Sequence, residues 1–456
     1  MTDDFDDALA LANGAASLTA VTDPRHVTDP APGAAHGHPA ATGNPVATPW
    51  AEARARAAAS GGPSGVTHQL PLADALGHTL ADPLPALTDL PAFDTSAMDG
   101  WAVAGPGPWA LDEDGPGVLA GDSPARLPDG HAVAIATGAR IPQGATAVLR
   151  TEHGFAGGGR LTAPATPPQG ADIRPRGQEC RTGDLLLPAG TPVTPAVLGL
   201  AAAAGYDRLT LTRRPRAHLL VLGDELLSEG APADGRVRDA LGPMVGPWLA
   251  ALGADVTAVR HLGDSAEALH AALTRADAGG DDSPGAEPDT GTEPDAAGPD
   301  LVVTTGSTAA GPVDHLHATL KRLGARLLVD GVAVRPGHPM LLAALPGGTH
   351  LVGLPGNPLA AVSALLTLAA PLVRTLADRD PASGDPDPAR LSERVQGHPT
   401  DTRLVPVTVG AGTARPLRFH GPAMLRGIAS ADALAVIPPG GAGAGAPVHL
   451  LGLPRN

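Results

Sequence analysis

The sequence predicts a multidomain chain in which an α/β domain is flanked by β-rich regions, and three observations carry that prediction. Between residues 216 and 378, continuous apolar strands (AHLLVLGDELL, DLVVTTG, THLVGLPGNP) alternate with helical stretches, the pattern of a parallel sheet covered on both faces. Residues 101–215 are instead rich in Gly and Pro and broken into short apolar runs such as AVAIATG and TAVLRTE. From residue 379 short strands return as LVPVTVG, ALAVIPPG and APVHLLGL, a stretch of about 75 residues that suits a small β-barrel or sandwich.

A length of 456 residues leaves room for roughly two to four domains. The chain is 43% hydrophobic but only 2% aromatic, so Leu, Val, Ile and Ala must pack its cores. Cys180 is the single cysteine, which excludes an internal disulfide framework and a Cys-cluster metal site. No apolar run approaches the roughly 20 residues of a membrane helix, and the opening MTDDFDD is acidic where a secretory signal is basic and then apolar. A cytoplasmic protein with no membrane partner is expected. The net charge of −16 is concentrated: residues 1–48 hold six acidic residues and one arginine, and residues 277–300 hold eight acidic and no basic residues. The remainder is nearly neutral and lacks the basic stripe that nucleic-acid binding requires.

Taken in order, residues 1–48 lack periodicity and read as a disordered tail. TPWAEARARAAA (48–59) reads as a helix capped by Thr48, and HQLPLADALGHTLADPL as strand, turn and helix, opening an N-terminal region over 49–215. The α/β domain spans 216–378. Within it AHLLVLGDELL is a buried strand, GPMVGPWLAALGADV a helix and the next strand's start, and DSAEALHAALTRA (264–276) a helix capped by Asp264. The acidic Pro/Gly segment 277–299 interrupts an αβ connection as a surface loop. AAVSALLTLAAPLV is the last helix before the C-terminal β domain at 379–456.

Three strand ends in the α/β domain carry polar, glycine-bearing turns: Gly223-Asp224-Glu225, Thr304-Thr305-Gly306-Ser307 and Pro355-Gly356-Asn357-Pro358. Each alone is a tight turn. Three at one sheet edge make a place where backbone amides and helix N-termini hold phosphate. Asp224, Glu225, Asp239 and Asp314 stand beside those turns and read as Mg²⁺ ligands, with helix capping as the alternative for Asp314. A second cluster, PAFDTSAMDGWAV (91–103), places Asp94, Ser96 and Asp99 in a turn-prone stretch before Gly100.

That second string resembles the SAMDG signature of the MoeA/gephyrin E-domain family, the molybdopterin molybdenumtransferases. The resemblance continues in order through TGARIPQGATAV (137–148), IRPRGQE (173–179), GDEL (223–226), GRVRD (235–239), TTGSTAAGPVD (304–314), RPGHP (335–339), PGNP (355–358) and HGPAMLRGIASADALAVIPPG. It implies an elongated homodimer of four-part subunits, with a three-layer molybdopterin-binding domain and a C-terminal β-barrel. The implied activity places molybdate on adenylated molybdopterin with Mg²⁺-assisted release of AMP, in a site completed by the partner's SAMDG region. By position, Asp99 is the signature carboxylate. Asp224, Asp239 and Asp314 would handle Mg²⁺ and nucleotide, with Gly223, Glu225, Thr304, Thr305 and Gly306 beside them. Pro355, Gly356, Asn357 and Pro358 would form a pterin-phosphate loop, and Arg335, Gly337, Pro339 and Arg403 would sit near molybdate.

The departures from the family pattern are concentrated in hydroxyl donors. Ala309, Ala360 and Pro422 stand where the family carries Ser, and Ser307 where it carries Gly. Asp239-Ala240-Leu241 lacks the polar residues that usually follow the Asp, and Arg335 and His338 stand where many members have Lys. Loss of one preorganised donor typically removes about 3–4 kcal/mol of transition-state stabilisation. Two expectations follow: a working transferase with other donors, or an impaired paralogue that binds molybdopterin or nucleotide as carrier, regulator or dimer partner.

Overall fold

The computed structural model describes residues 47–63, 65–279, 298–308 and 314–454. Nearly all of the expected N-terminal tail, most of the acidic insert and Ala309 lie outside these residues.

In the α/β domain, six strands form one sheet: β1 (Arg216–Leu222), β2 (Asp255–Leu262), β3 (Leu301–Thr305), β4 (Arg326–Asp330), β5 (Leu341–Ala344) and β6 (His350–Leu354). Their spatial order is β2-β1-β3-β6-β5-β4. β2, β1, β3 and β6 are mutually parallel, whereas β5 runs antiparallel to both neighbours, so the sheet is mixed rather than wholly parallel as expected. Alternate residues supply the two faces. Leu219 and Val221 pack with helices α1 (Gly242–Leu252) and α4 (Pro358–Leu376). Leu220 and Leu222 pack with α2 (Ala266–Asp277) and α3 (Leu316–Leu323). Three layers result. The cap of α2 is Ser265, whose Oγ accepts from Ala268 N at 3.2 Å; Asp264, the expected cap, stands one residue too early.

The expectation that no apolar run nears membrane length is corrected by α4, which has 19 residues and a mean hydropathy of 1.8. It is a core helix, 94% buried. Its continuity depends on a π-turn at Leu365–Ala369 just before Pro371. Proline has no N–H to offer the preceding turn, and the Leu366 carbonyl there accepts from Arg54 Nη1 at 2.6 Å instead. Trp50 Nε1 donates to Thr367 Oγ1 at 3.0 Å alongside. Both donors lie on the helix Trp50–Ser60, which presses fully buried Ala53 and Ala57 against α4. Thr48 does not cap that helix; it pairs in parallel with Val332.

In the N-terminal region the helix expected at the end of HQLPLADALGHTLADPL is absent: Pro83 and Pro85 break it, and the chain forms a 3₁₀ turn at Leu72–Asp74 and short strands at Thr79–Leu80 and Leu84–Pro85. A separate six-stranded sheet carries the 91–103 motif into the strand Gly100–Val103. Gly100 is required there, since a Cβ would fall 2.0 Å from the Leu149 carbonyl oxygen.

The C-terminal strands resolve the choice between barrel and sandwich. Thr402–Gly410 pairs with Thr413–Pro416 on one side and Ala433–Ile437 on the other, and the ring closes through Ala389–Leu391 and Pro447–Gly452. The same long strand also takes Val332–Arg335, a segment of the α/β domain, as a parallel neighbour, with Arg335 opposite Arg403. This pairing positions the site.

Candidate active site

β1, β3 and β6 are adjacent in the sheet, so their C-terminal turns meet at one edge. Over that edge lies a cleft of about 710 Å³, floored by Gly223, Thr305, Gly306, Ser307 and the Pro355–Pro358 turn, and walled by Val237–Leu241 and Leu425. Gly306 takes φ +82° and Ser307 φ +57° as the chain leaves β3. Ser307 Oγ accepts from His315 N at 2.8 Å, which fixes the entry to α3. Thr304 is fully buried within the strand and lies below the cleft floor.

Four carboxylates line the cleft: Glu225, Asp239, Asp264 and Asp314. Asp239 is buried. Its Oδ1 accepts from Leu241 N and Gly242 N at 2.9 and 3.0 Å, capping α1, and its Oδ2 faces His261 Nε2 at 3.2 Å. Backbone amides and an imidazole from the neighbouring strand thus replace the polar side chains absent at 240 and 241. Gly242 is needed for this geometry, because a Cβ would lie 2.3 Å from Asp239 Oδ2. Glu225 folds its carboxylate back over Gly223, whose added Cβ would fall 2.4 Å from Glu225 Oε2. Asp224 is exposed and packs on Gly263 outside the cleft, while Asp264, read in the sequence as a cap, stands at the cleft instead. Among the described residues no three His, Cys, Asp or Glu side chains form a ready metal cage.

A second pocket of about 340 Å³ adjoins the cleft and shares Pro339, Pro355 and Asn357 with it. Arg335, His338, Arg403 and His420 line it, and no carboxylate does. Arg335 Nε donates to Asp401 Oδ2 at 2.8 Å. Burial pushes the Asp401 carboxyl up, but hydrogen bonds from the Thr400 hydroxyl and Arg335 outweigh it and hold the group below its ordinary value. Arg403 donates to the Gln396 carbonyl at 2.8 Å and to His420 Nδ1 at 3.1 Å. Gly337, at φ +112°, is pressed on α4: a Cβ would lie 2.8 Å from Met340 Cε and 3.1 Å from the Ala360 carbonyl. Ala360 and Pro422 also line the pocket, and the Pro422 carbonyl accepts from Leu359 N at 2.8 Å.

Asp99, like Asp224, lines neither cavity. It is exposed on the N-terminal sheet, where Oδ1 accepts from Thr137 N at 2.8 Å. Ser96 Oγ donates to the Met98 carbonyl and Asp94 Oδ1 accepts from Arg176 N, so the motif's other polar groups shape its turn. Sequence reading missed His261 and His420. The position of His261 at the end of β2, next to β1, was a usable signal; His420 had none.

Three family models match the chain in order. Residues 48–205 match the MoeA N-terminal region (domains I and II), 218–283 and 290–375 a probable molybdopterin binding domain, and 388–451 the MoeA C-terminal region (domain IV). A molybdopterin molybdenumtransferase of Synechococcus elongatus is 31% identical over 302 residues, covering 64% of this chain and 70% of that protein. One from Staphylococcus epidermidis is 27% identical over 386 residues, covering 81% and 86%. The crystal structure of a molybdopterin biosynthesis MoeA protein from Pyrococcus horikoshii shares the fold, with a TM-score of 0.71 at 19% identity over 89% of this chain and 99% of that one. The protein belongs to the MoeA family.

Proposed function

We propose that this protein is a molybdopterin molybdenumtransferase of molybdenum cofactor biosynthesis, transferring molybdate to adenylated molybdopterin with release of AMP. The observation that carries this reading is the adjacency of two unlike cavities: an acidic, glycine-turned cleft at three strand ends shares Pro339, Pro355 and Asn357 with a carboxylate-free pocket of two arginines and two histidines. The first suits a phosphate-bearing nucleotide with a cation, the second an oxyanion.

In this reading the turns at Gly223, Gly306 and Gly356 lie against the pterin and pyrophosphate, and the Gly223 and Gly306 amides, already bonded to the Leu262 and Leu354 carbonyls at 3.1 and 2.8 Å, hold the turns in place. The carboxylates of Asp239, Asp264 and Asp314 are hard oxygen donors of the kind Mg²⁺ takes together with substrate phosphates, so no preformed cage is required. Bound Mg²⁺ would neutralise charge developing on the departing phosphate. Asp224 reaches this set only indirectly, through its backbone N–H to Asp264 at 3.4 Å. Arg335 and Arg403 orient molybdate at the shared Pro339–Asn357 boundary. A cytoplasmic homodimer in which a second copy brings its own Asp99 to the cleft would account for the absence of that residue from both cavity linings.

The test is reconstitution with purified protein, adenylated molybdopterin, Mg²⁺ and millimolar molybdate, following AMP release and active cofactor separately. Production of both supports the transferase. Tight pterin binding without cofactor, from folded protein, would instead identify the binding paralogue.

A further inference from the structure

The two histidines of the smaller pocket have their protons fixed by their partners. Arginine only donates, so the 3.1 Å contact with Arg403 Nη2 makes His420 Nδ1 the acceptor. A neutral imidazole carries one proton, which in His420 must therefore sit on Nε2. Among the described residues this N–H has no protein acceptor. His338 is the reverse case. The Val332 carbonyl can only accept, at 2.8 Å, so the His338 proton is on Nδ1 and its Nε2 is bare.

We propose that His420 is an oxyanion-binding residue: its Nε2–H donates to a tetrahedral dianion held between Arg335 and Arg403. The inference rests on the oxyanion reading of this pocket and supplies the donor that reading lacks, since Ala360 and Pro422 stand where hydroxyls were expected. Residues opposite each other on parallel strands project to the same face, and Arg335 lies opposite Arg403. The two guanidinium groups thus flank one volume. Each is already anchored, by Asp401 and by the Gln396 carbonyl, so neither must be ordered when the ligand arrives. The bond from Arg403 orients the His420 ring in the same way. Much of the remaining lining is Pro336, Pro339, Pro355, Ala360 and Pro422, whose side chains offer an anion neither a donor nor an acceptor.

Molybdate binding to the full-length chain without pterin, measured by titration calorimetry, tests the assignment. His420→Leu is expected to weaken binding about tenfold or more, the usual effect of losing a hydrogen bond to a charged group. His420→Gln can accept from Arg403 through its carbonyl and donate through its amide, and should return affinity to within about threefold of the wild type. Melting temperatures are read alongside, and His420→Ala replaces the Leu variant if the latter does not fold. Unchanged affinity in the variant without a donor overturns the inference. So does a loss that Gln fails to restore, which would mean ring packing rather than donation, and so does a wild type that does not bind molybdate. A wild type that binds molybdate with the expected variant pattern yet forms no cofactor would overturn the transferase reading alone.

Discussion

Asp401→Asn removes a charge from beneath the oxyanion pocket while keeping the side chain's shape. In the structure, Asp401 accepts from Arg335 Nε at 2.8 Å and from the Thr400 hydroxyl at 2.9 Å, and His398 Nδ1 stands 3.6 Å away. The Asp401 side chain is 12% exposed but that of Arg335 is 49% exposed, so solvent screens one end of the pair. Fully buried pairs lose about 3–5 kcal/mol when broken and exposed ones contribute about 0.2–1. The mixed environment, with an amide oxygen still able to accept, places the loss at about 1–2 kcal/mol. Urea unfolding at neutral pH should show this as a lowered midpoint with an unchanged slope. The pH dependence has a defined sign. A carboxyl held below its ordinary value contributes fully above roughly pH 5 and loses that contribution as pH falls through its folded-state value. The gap between wild type and variant should therefore narrow in acid below about pH 4. Molybdate affinity should fall in the same variant, because Arg335 exchanges a charged anchor for a weaker amide one. An unchanged midpoint together with unchanged affinity would refute the reasoning.

Gly337→Ala should lower both stability, by about 1–3 kcal/mol from left-handed strain and the clash with Met340 and Ala360, and molybdate affinity; denaturation and calorimetry check it. Arg54→Ala strands the Leu366 carbonyl and takes one guanidinium from Asp385, with Arg374 still 3.5 Å away, so a loss of about 2–3 kcal/mol is expected. Molybdate affinity should not change in that variant. His261→Ala frees Asp239 Oδ2 and should alter the Mg²⁺ concentration that half-saturates AMP release while leaving molybdate binding intact. Ser265→Ala should remove about 1 kcal/mol through the lost cap of α2, with no effect on either assay.

The strand-end turns were legible because glycine after a continuous apolar run has few other uses, and Gly223, Gly306 and Gly356 do meet at one edge. The orientation of β5 was not, since a short apolar run carries no direction. The helix expected at the end of HQLPLADALGHTLADPL does not form because Pro83 and Pro85 forbid it. Asp239 shows a deeper limit. Its partners are two amides and a histidine on another strand, and no local pattern records them. The oxyanion pocket is harder still: Arg335 and Arg403 become neighbours only through a strand pairing between two domains, and family resemblance, not spacing, linked them beforehand.

That strand pairing also bears on how the protein is made. The three strand-end turns of the larger cleft are all encoded before residue 360, although Leu404, Ile428, Leu434 and Leu451 from the C-terminal region complete the core beneath that sheet. Arg403 and His420 emerge from the ribosome only afterwards, and Arg335 waits for Asp401 and its strand neighbour to arrive. A nascent chain thus presents the strand-end turns first and the paired arginines of the smaller pocket only near the end of synthesis. A product interrupted between residues 380 and 400 retains the strand-end turns and lacks Arg403 and His420, so the smaller pocket cannot form in it.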